Sequence, residues 1–256
     1  MKDIEIIEKL DLILQHLNIR KISPVKQAGP IPTELHDAIF ESRVDNYWAD
    51  YPIDFNDPVI SIAGLKSYIS MGIGLRVYAA AALSGGVIKV SPLITLTSGE
   101  NLVDDSDYYL LDGPSYTRPT DGTKYNETGA NGLVSYYKNN VKVGISPGMP
   151  QNSSSRRSRF FYKDEVIHQL LQGIPPANYD NYQLKLEIGY LDETRSAMLP
   201  AMFPSQIPNP LPAGYTANNF HVGFTCLFTI YDSDDRFYRC VEIGKPCPPY
   251  CGSLNP

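Results

Sequence analysis

The run from Ile62 to Thr97 leaves this chain little choice of local structure. Leu75, Val77, Ala79, Ala81 and Leu83 alternate with Arg76, Tyr78, Ala80 and Ala82. That period of two is the signature of a strand. Alanines on both faces predict that another element packs closely against it. Ser84-Gly85-Gly86 follows, and paired glycines accept the positive φ values of a tight hairpin turn. Val87 to Thr97 then returns as a second strand. Pro92 interrupts it and has no N–H to give a ladder, so an edge or a bulge is expected there. Ahead of the hairpin, Ser61 caps a helix over Ile62 to Met71 that Gly72 stops. A helix feeding an antiparallel hairpin is the unit that the other elements decorate.

Toward the N-terminus, Asp3 caps a helix over Ile4 to Leu17, with Ile6, Ile7, Leu10, Ile13, Leu14 and Leu17 at helical spacing. Ser23 to Pro32 holds three prolines and reads as an extended linker. Residues 1–22 are therefore expected as a separate amphipathic helix, 23–32 as a linker and 33–256 as a single domain. The apolar stripe of the first helix must be buried on the domain's flank, on another copy of itself or at a membrane surface. Its mainly acidic polar face disfavours the membrane.

Thr33 caps a second helix, Glu34 to Tyr47, with Leu35, Ala38, Ile39 and Ser42 on one side. The sole tryptophan sits just after it, in Tyr47-Trp48-Ala49-Asp50-Tyr51. That cluster reads either as a core anchor under a loop or as a ligand platform. Lys163 to Gln172 is a third helix, with Val166, Ile167, Leu170 and Leu171 on its apolar face and Gly173 as its stop. Tyr182 to Leu191 is a half-buried strand with Gln183, Lys185 and Glu187 outward. Phe220 to Tyr231 and Arg236 to Ile243 are strands, and Leu133 to Ile145 a short one. Residues 99–132 read as a long surface excursion, and the five prolines of Leu199 to Pro212 as an extended arm. The fold class is α+β: a mainly antiparallel sheet with three short helices, long Pro/Gly/Tyr-rich loops and the separate N-terminal helix.

A net charge of −6 argues against a general nucleic-acid binder, which would show a basic face. No apolar run reaches the roughly 18 to 20 residues that span a bilayer. Met1-Lys2-Asp3-Ile4-Glu5 lacks the basic start and apolar core of a secretory signal. A cytoplasmic location is the expectation.

Tests for catalytic chemistry find no convergent set. Gly144-Ile145-Ser146-Pro147-Gly148 matches the nucleophile-elbow pattern. Yet Pro147 has no N–H at the position that must help bind an oxyanion, so the match is chance. His16, His36, His168 and His221 show no metal-ligand spacing, and surface or capping roles are expected. Asp104-Asp105-Ser106-Asp107 and Asp232-Ser233-Asp234-Asp235 lack the glycine and glutamate of a calcium loop and read as solvated turns. Arg156, Arg157 and Arg159 read as a charged loop. Cys226, Cys240, Cys247 and Cys251 all fall near the C-terminus. Four thiolates suit a closed zinc site, although no C-x-x-C knuckle is present. Buried structural thiols and disulfides are the competing readings, and a reducing cytoplasm disfavours the latter.

Leu75-Arg76-Val77-Tyr78-Ala79 after a short helix, followed by a hairpin, together with the tail Cys247-Pro248-Pro249-Tyr250-Cys251, resembles a set of uncharacterised bacterial proteins. In these a helix leads into an I-R-I-Y strand and the chain carries a C-P-P-x-C tail. The resemblance covers Thr33 to Thr97 and the last dozen residues. It implies a shared architecture and no catalytic residue.

The functional expectation is a non-enzymatic structural or interaction protein, a subunit of a larger assembly, whose partners are other protein subunits or itself through the N-terminal helix. The alternative is a small-molecule or metal-binding domain built on the cysteine cluster.

Overall fold

The structure is a computed structural model that describes residues 33–99, 103–143, 158–171, 173–202, 207, 210–211, 214–241, 245–246 and 254. The expected N-terminal helix and linker, the Gly144–Gly148 motif, Arg156, Arg157, Cys247 and Cys251 lie outside the described residues.

The chain is α+β with mainly antiparallel pairing. The central unit forms as its sequence predicts. Ser61 caps helix α2 (Ile62–Ile69, following α1 at Thr33–Asn46), its side chain accepting from Gly64 N. Strands β4 (Gly74–Ser84) and β5 (Val87–Ser98) pair without a break from Gly74↔Thr97 to Ser84↔Val87. Gly85 and Gly86 turn them at φ 59° and 79°.

Pro92 lies neither at a bulge nor on an outer strand, which corrects the expectation. On one edge of β5, strand β2 (Ile53–Phe55) pairs with residues 88–90 and β7 (Tyr108–Leu110) with residues 93–94. Pro92 falls in the gap between them and uses only its carbonyl, which accepts from Leu111 N at 2.9 Å. A missing N–H costs nothing at such a gap.

An eight-stranded sheet runs β15 (Lys245–Pro246), β11 (Ser158–Tyr162), β4, β5, β7, β9 (Thr123–Tyr125), with β2 and β6 (Val103–Asp104) also on β5. A five-stranded sheet runs β14 (Phe237–Val241), β13 (Gly223–Asp232), β12 (Tyr182–Leu191), β3 (Val59–Ile60), β8 (Ser115–Tyr116). A two-stranded pair joins β1 (Tyr47–Trp48) to β10 (Lys142–Val143).

The two large sheets face each other. Leu75, Val77, Ala79 and Ala81 of β4 share one core with Leu184, Leu186 and Ile188 of β12 and Phe228 of β13. Phe161 meets Phe228 edge-to-face with centroids 4.8 Å apart. Each fully buried side chain of this size contributes about 1.5–3 kcal/mol. Helix α2 and α4 (Lys163–Leu171) add Leu65, Ile69 and Val166 to the same core.

Both outer faces are covered as well, giving a helix–sheet–sheet–helix stack. Helix α1 lays Leu35 and Ile39 on Leu191 and Leu227. Helix α3 (Glu127–Asn140) lays Ala130 and Val134 on Tyr78, Ala80 and Leu93. Alanines on both faces of β4 thus meet a sheet on one side and a helix on the other.

Three sequence expectations need correction. Residues 133–140 are helix α3, not a strand: Asn126 accepts from Gly129 N as its cap, and Ala130, Val134 and Tyr137 form its buried stripe at helical spacing. Residues 103–125 hold four short strands, and Asp104, Tyr108, Leu110 and Leu111 are buried, so this is no surface excursion. The polar face of β12 is only partly open to water: Gln183 is exposed and Lys185 half-buried, but α1 buries Glu187. Short helices α5 (Glu193–Ser196) and α6 (Leu199–Met202) begin the proline-rich region. Among the described residues no helix is long and apolar enough to cross a membrane.

Candidate interaction site

Four aromatic residues fall between Tyr47 and Phe55, and strand alternation sorts them. Tyr47 points inward. Its hydroxyl donates to Gly189 O at 3.1 Å, and its ring packs against Phe55 and Tyr190 at 5.2 and 5.7 Å between centroids. Burial, with a smaller push from Tyr137, holds its phenol well above the usual range, so it stays neutral. Trp48, one residue on, must point the other way and is 48% exposed. Tyr51 is 48% and Val44 74% exposed. Tyr47 is a core anchor, as one of the two sequence readings has it, while Trp48 stands half-exposed beside it.

Val44, Trp48, Tyr51 and Pro52 border an open concavity of about 400 Å³ over Tyr47 and Phe55. Its base is firmly held. Arg43 Nη1 lies 2.9 and 2.8 Å from the two Asp57 carboxylate oxygens and donates to Ile188 O at 2.9 Å. The guanidinium also lies over the Phe40 ring at 3.9 Å and faces Phe55 at 4.9 Å. Asp57 accepts in turn from Ile188 N at 3.0 Å. Burial raises the Asp57 pKa, while Arg43 pulls it down. The hydroxyl of Ser42 reaches Tyr190 O at 2.7 Å. The end of α1 is thereby tied to β12 on two sides. Asp50 is the charged residue in the concavity lining. Asp45 and Asp54 are exposed on the elements beside it, with Lys142 opposite Trp48 and Lys89 opposite Asp54.

The cysteines do not converge where they are described. Cys240 faces Thr229 across β13 and β14, its Sγ 3.7 Å from Thr229 Oγ1. Cys226 is three residues from Thr229 on the same strand and so points to the opposite face, into the core between the sheets. Both thiols are buried. Burial pushes the Cys226 thiol well above its ordinary pKa. Among the described residues no three of His, Cys, Asp and Glu approach closely enough to hold a metal.

Polar residues expected at the surface are instead buried in matched sets. His36 Nδ1 and Nε2 lie 2.9 Å from Asp37 Oδ1 and 2.7 Å from Glu187 Oε2. Tyr231 donates to Glu187 Oε1 at 2.8 Å. Asp104, expected in a solvated turn, is buried on β6, where Arg76 Nε reaches it at 2.8 Å and Tyr78 donates to its other oxygen. Arg159 is fully buried on β11 and donates to Phe224 O at 2.6 Å and His221 O at 2.7 Å. Asp232 does form a turn, accepting from Asp234 N and Arg236 N at 2.9 Å each. His36 was legible in one respect: it lies beside Leu35 and Ile39 on the apolar side of α1, where a titratable group needs a buried partner. No sequence spacing names Glu187 as that partner.

No family model matches the chain, and neither any curated protein nor any solved structure matches it.

Proposed function

We propose that the chain is a non-enzymatic interaction protein, a component of a larger assembly, and that a partner docks at the Trp48–Tyr51 concavity. One observation carries the reading: two half-exposed aromatic rings and an exposed valine stand together on a base held by Arg43, Asp57 and Tyr47. Exposed aromatics on a rigid support lose little side-chain entropy on binding and dominate interface energetics. Scattered apolar residues need no such explanation, but a concave cluster does. Asp50 in the lining favours a partner segment that is apolar with a cationic residue at its edge, which Trp48 also attracts through its ring. The same proposal gives residues 1–22 a role in self-association and places the chain in a reducing compartment, in keeping with the free thiol of Cys226.

Trp48 is the sole tryptophan, so intrinsic fluorescence reports on this site alone. Titration with a lysine- and leucine-rich peptide should shift the emission to the blue, less so at high salt. Trp48→Phe, which loses the signal but keeps a ring, should retain binding by calorimetry. Trp48→Ala should weaken it by about 2 kcal/mol or more. An unshifted spectrum, or an equal response to a glutamate- and leucine-rich peptide, would overturn the reading. Native mass spectrometry of the chain lacking residues 1–22 tests the self-association part. An unchanged assembly state removes it.

A further inference from the structure

A second concavity lies elsewhere on the molecule, and its chemistry differs. Strand β3 ends at Ile60, but β12 beside it runs on. Leu184 pairs with Ile60, so Tyr182 and Gln183 of β12 extend past that end; Tyr116 pairs with Ile60 from the other side. The chain departs at Ser61 into α2, leaving a notch of about 360 Å³ where β3 stops.

Three half-buried tyrosines, Tyr116, Tyr179 and Tyr182, line this notch. Each is braced. The Tyr116 hydroxyl accepts from Gly113 N and reaches Asp112 Oδ1 at 3.3 Å. The Tyr182 ring packs on Tyr238 at 4.8 Å, and Lys66 Nζ lies 5.9 Å from the Tyr179 ring centroid. Between them the lining presents Ser61, Asp180 and Gln183, a hydroxyl, a carboxylate and an amide.

This combination selects among ligand classes. A purely apolar ligand would strip water from the hydroxyl, amide and carboxylate without replacing their hydrogen bonds. An anion would meet Asp180 and no cation in the lining. A sugar ring matches both halves. Its C–H faces lie flat on aromatic rings, whose faces carry partial negative charge. Its equatorial hydroxyls donate and accept at the ring edge, as carboxylate and amide groups require. From this we infer a binding site for a neutral carbohydrate at the Tyr116–Tyr179–Tyr182 notch. It is independent of the Trp48 site and uses none of its residues.

The experiment is saturation-transfer NMR on the full chain with tetrasaccharides of glucose, mannose, xylose and N-acetylglucosamine, and with glucose 6-phosphate. Transfer to at least one neutral tetrasaccharide is expected. Tyr179→Ala should weaken it about tenfold or more. Tyr179 is half-buried and its loss could disturb packing, so Asp180→Asn and Gln183→Ala, both exposed, provide the second arm. Each should weaken transfer severalfold with the unfolding temperature unchanged, while Trp48→Ala should leave it intact. Absence of transfer from every neutral probe, preference for the phosphate sugar, or transfer insensitive to Asp180→Asn and Gln183→Ala would each overturn the inference.

Discussion

His36 Nε2 lies 2.7 Å from Glu187 Oε2 across 151 positions of sequence, with both side chains 4% exposed. This contact pins α1 to the outer face of β12. Burial opposes the charged imidazolium of His36, but Glu187 and Asp37 more than offset it, so its pKa is raised from 6.5. Burial would likewise raise Glu187, yet hydrogen bonds from His36, Thr229 and Tyr231 hold it below 4.5.

The two shifts predict a stability maximum in mildly acidic solution. The raised His36 contributes fully below its unfolded pKa of 6.5 and loses that contribution as pH rises through the folded value. The depressed Glu187 contributes above 4.5 and loses it as pH falls through its folded value. Urea midpoints measured across pH should therefore peak between these limits and fall on both sides. In His36→Phe the alkaline fall attributable to this pair should vanish. A midpoint in the unsubstituted chain that keeps rising above pH 6.5 would show that the pair does not control it.

Removing one member of a fully buried ion pair takes the opposite charge away from the other. Arg76 and Asp104 side chains are both 0% exposed, their contact 2.8 Å. Asp104→Ala should cost about 3–5 kcal/mol of unfolding free energy. Arg76→Met combined with Asp104→Leu should recover much of that loss, because neither charge then needs desolvation. A double variant no more stable than the single one would contradict this.

Gly64 sits inside α2, where alanine normally stabilises by about 1 kcal/mol. Here a Cβ would fall 1.9 Å from the carbonyl oxygen of Thr117. That contact is backbone and cannot rotate away. Gly64→Ala should thus destabilise by about 1–3 kcal/mol in a thermal melt, with the sign opposite to helix propensity.

Cys226 and Cys240 should resist alkylation in the native state and react only on unfolding, since both are buried and burial keeps the Cys226 thiol protonated. Peptide mapping after iodoacetamide treatment, with and without urea, reads this directly. Native labelling at Cys226 would mean that the inter-sheet core opens readily.

How much of this was legible depends on the range of the interaction involved. The β4–β5 hairpin, α2 with its Ser61 cap, and β12 follow from neighbours within a few residues, and their sequences announce them. Helix α3 did not, because Gly129 and Gly132 lower its propensity and obscure the stripe of Ala130, Val134 and Tyr137. The short strands β6 to β9 are two or three residues each, too brief for alternation to register. Of the interaction site, the sequence marks the aromatic cluster but not which ring faces solvent.

Local pattern alone determined the α+β class, the hairpin register set by Gly85-Gly86, and the apolar stripes of α1, α2 and α4. These depend on backbone sterics and on periods of two or 3.6 residues, which are written in adjacent positions. Tertiary structure alone decided that both sheet faces would be covered, that His36 would meet Glu187 and Arg76 meet Asp104, and that Trp48 and three tyrosines would line separate concavities. A buried charge must find its complement wherever the fold brings one, and a surface hollow exists only where elements end at unequal lengths. Both depend on how distant segments are placed, a property that no single stretch of this chain carries.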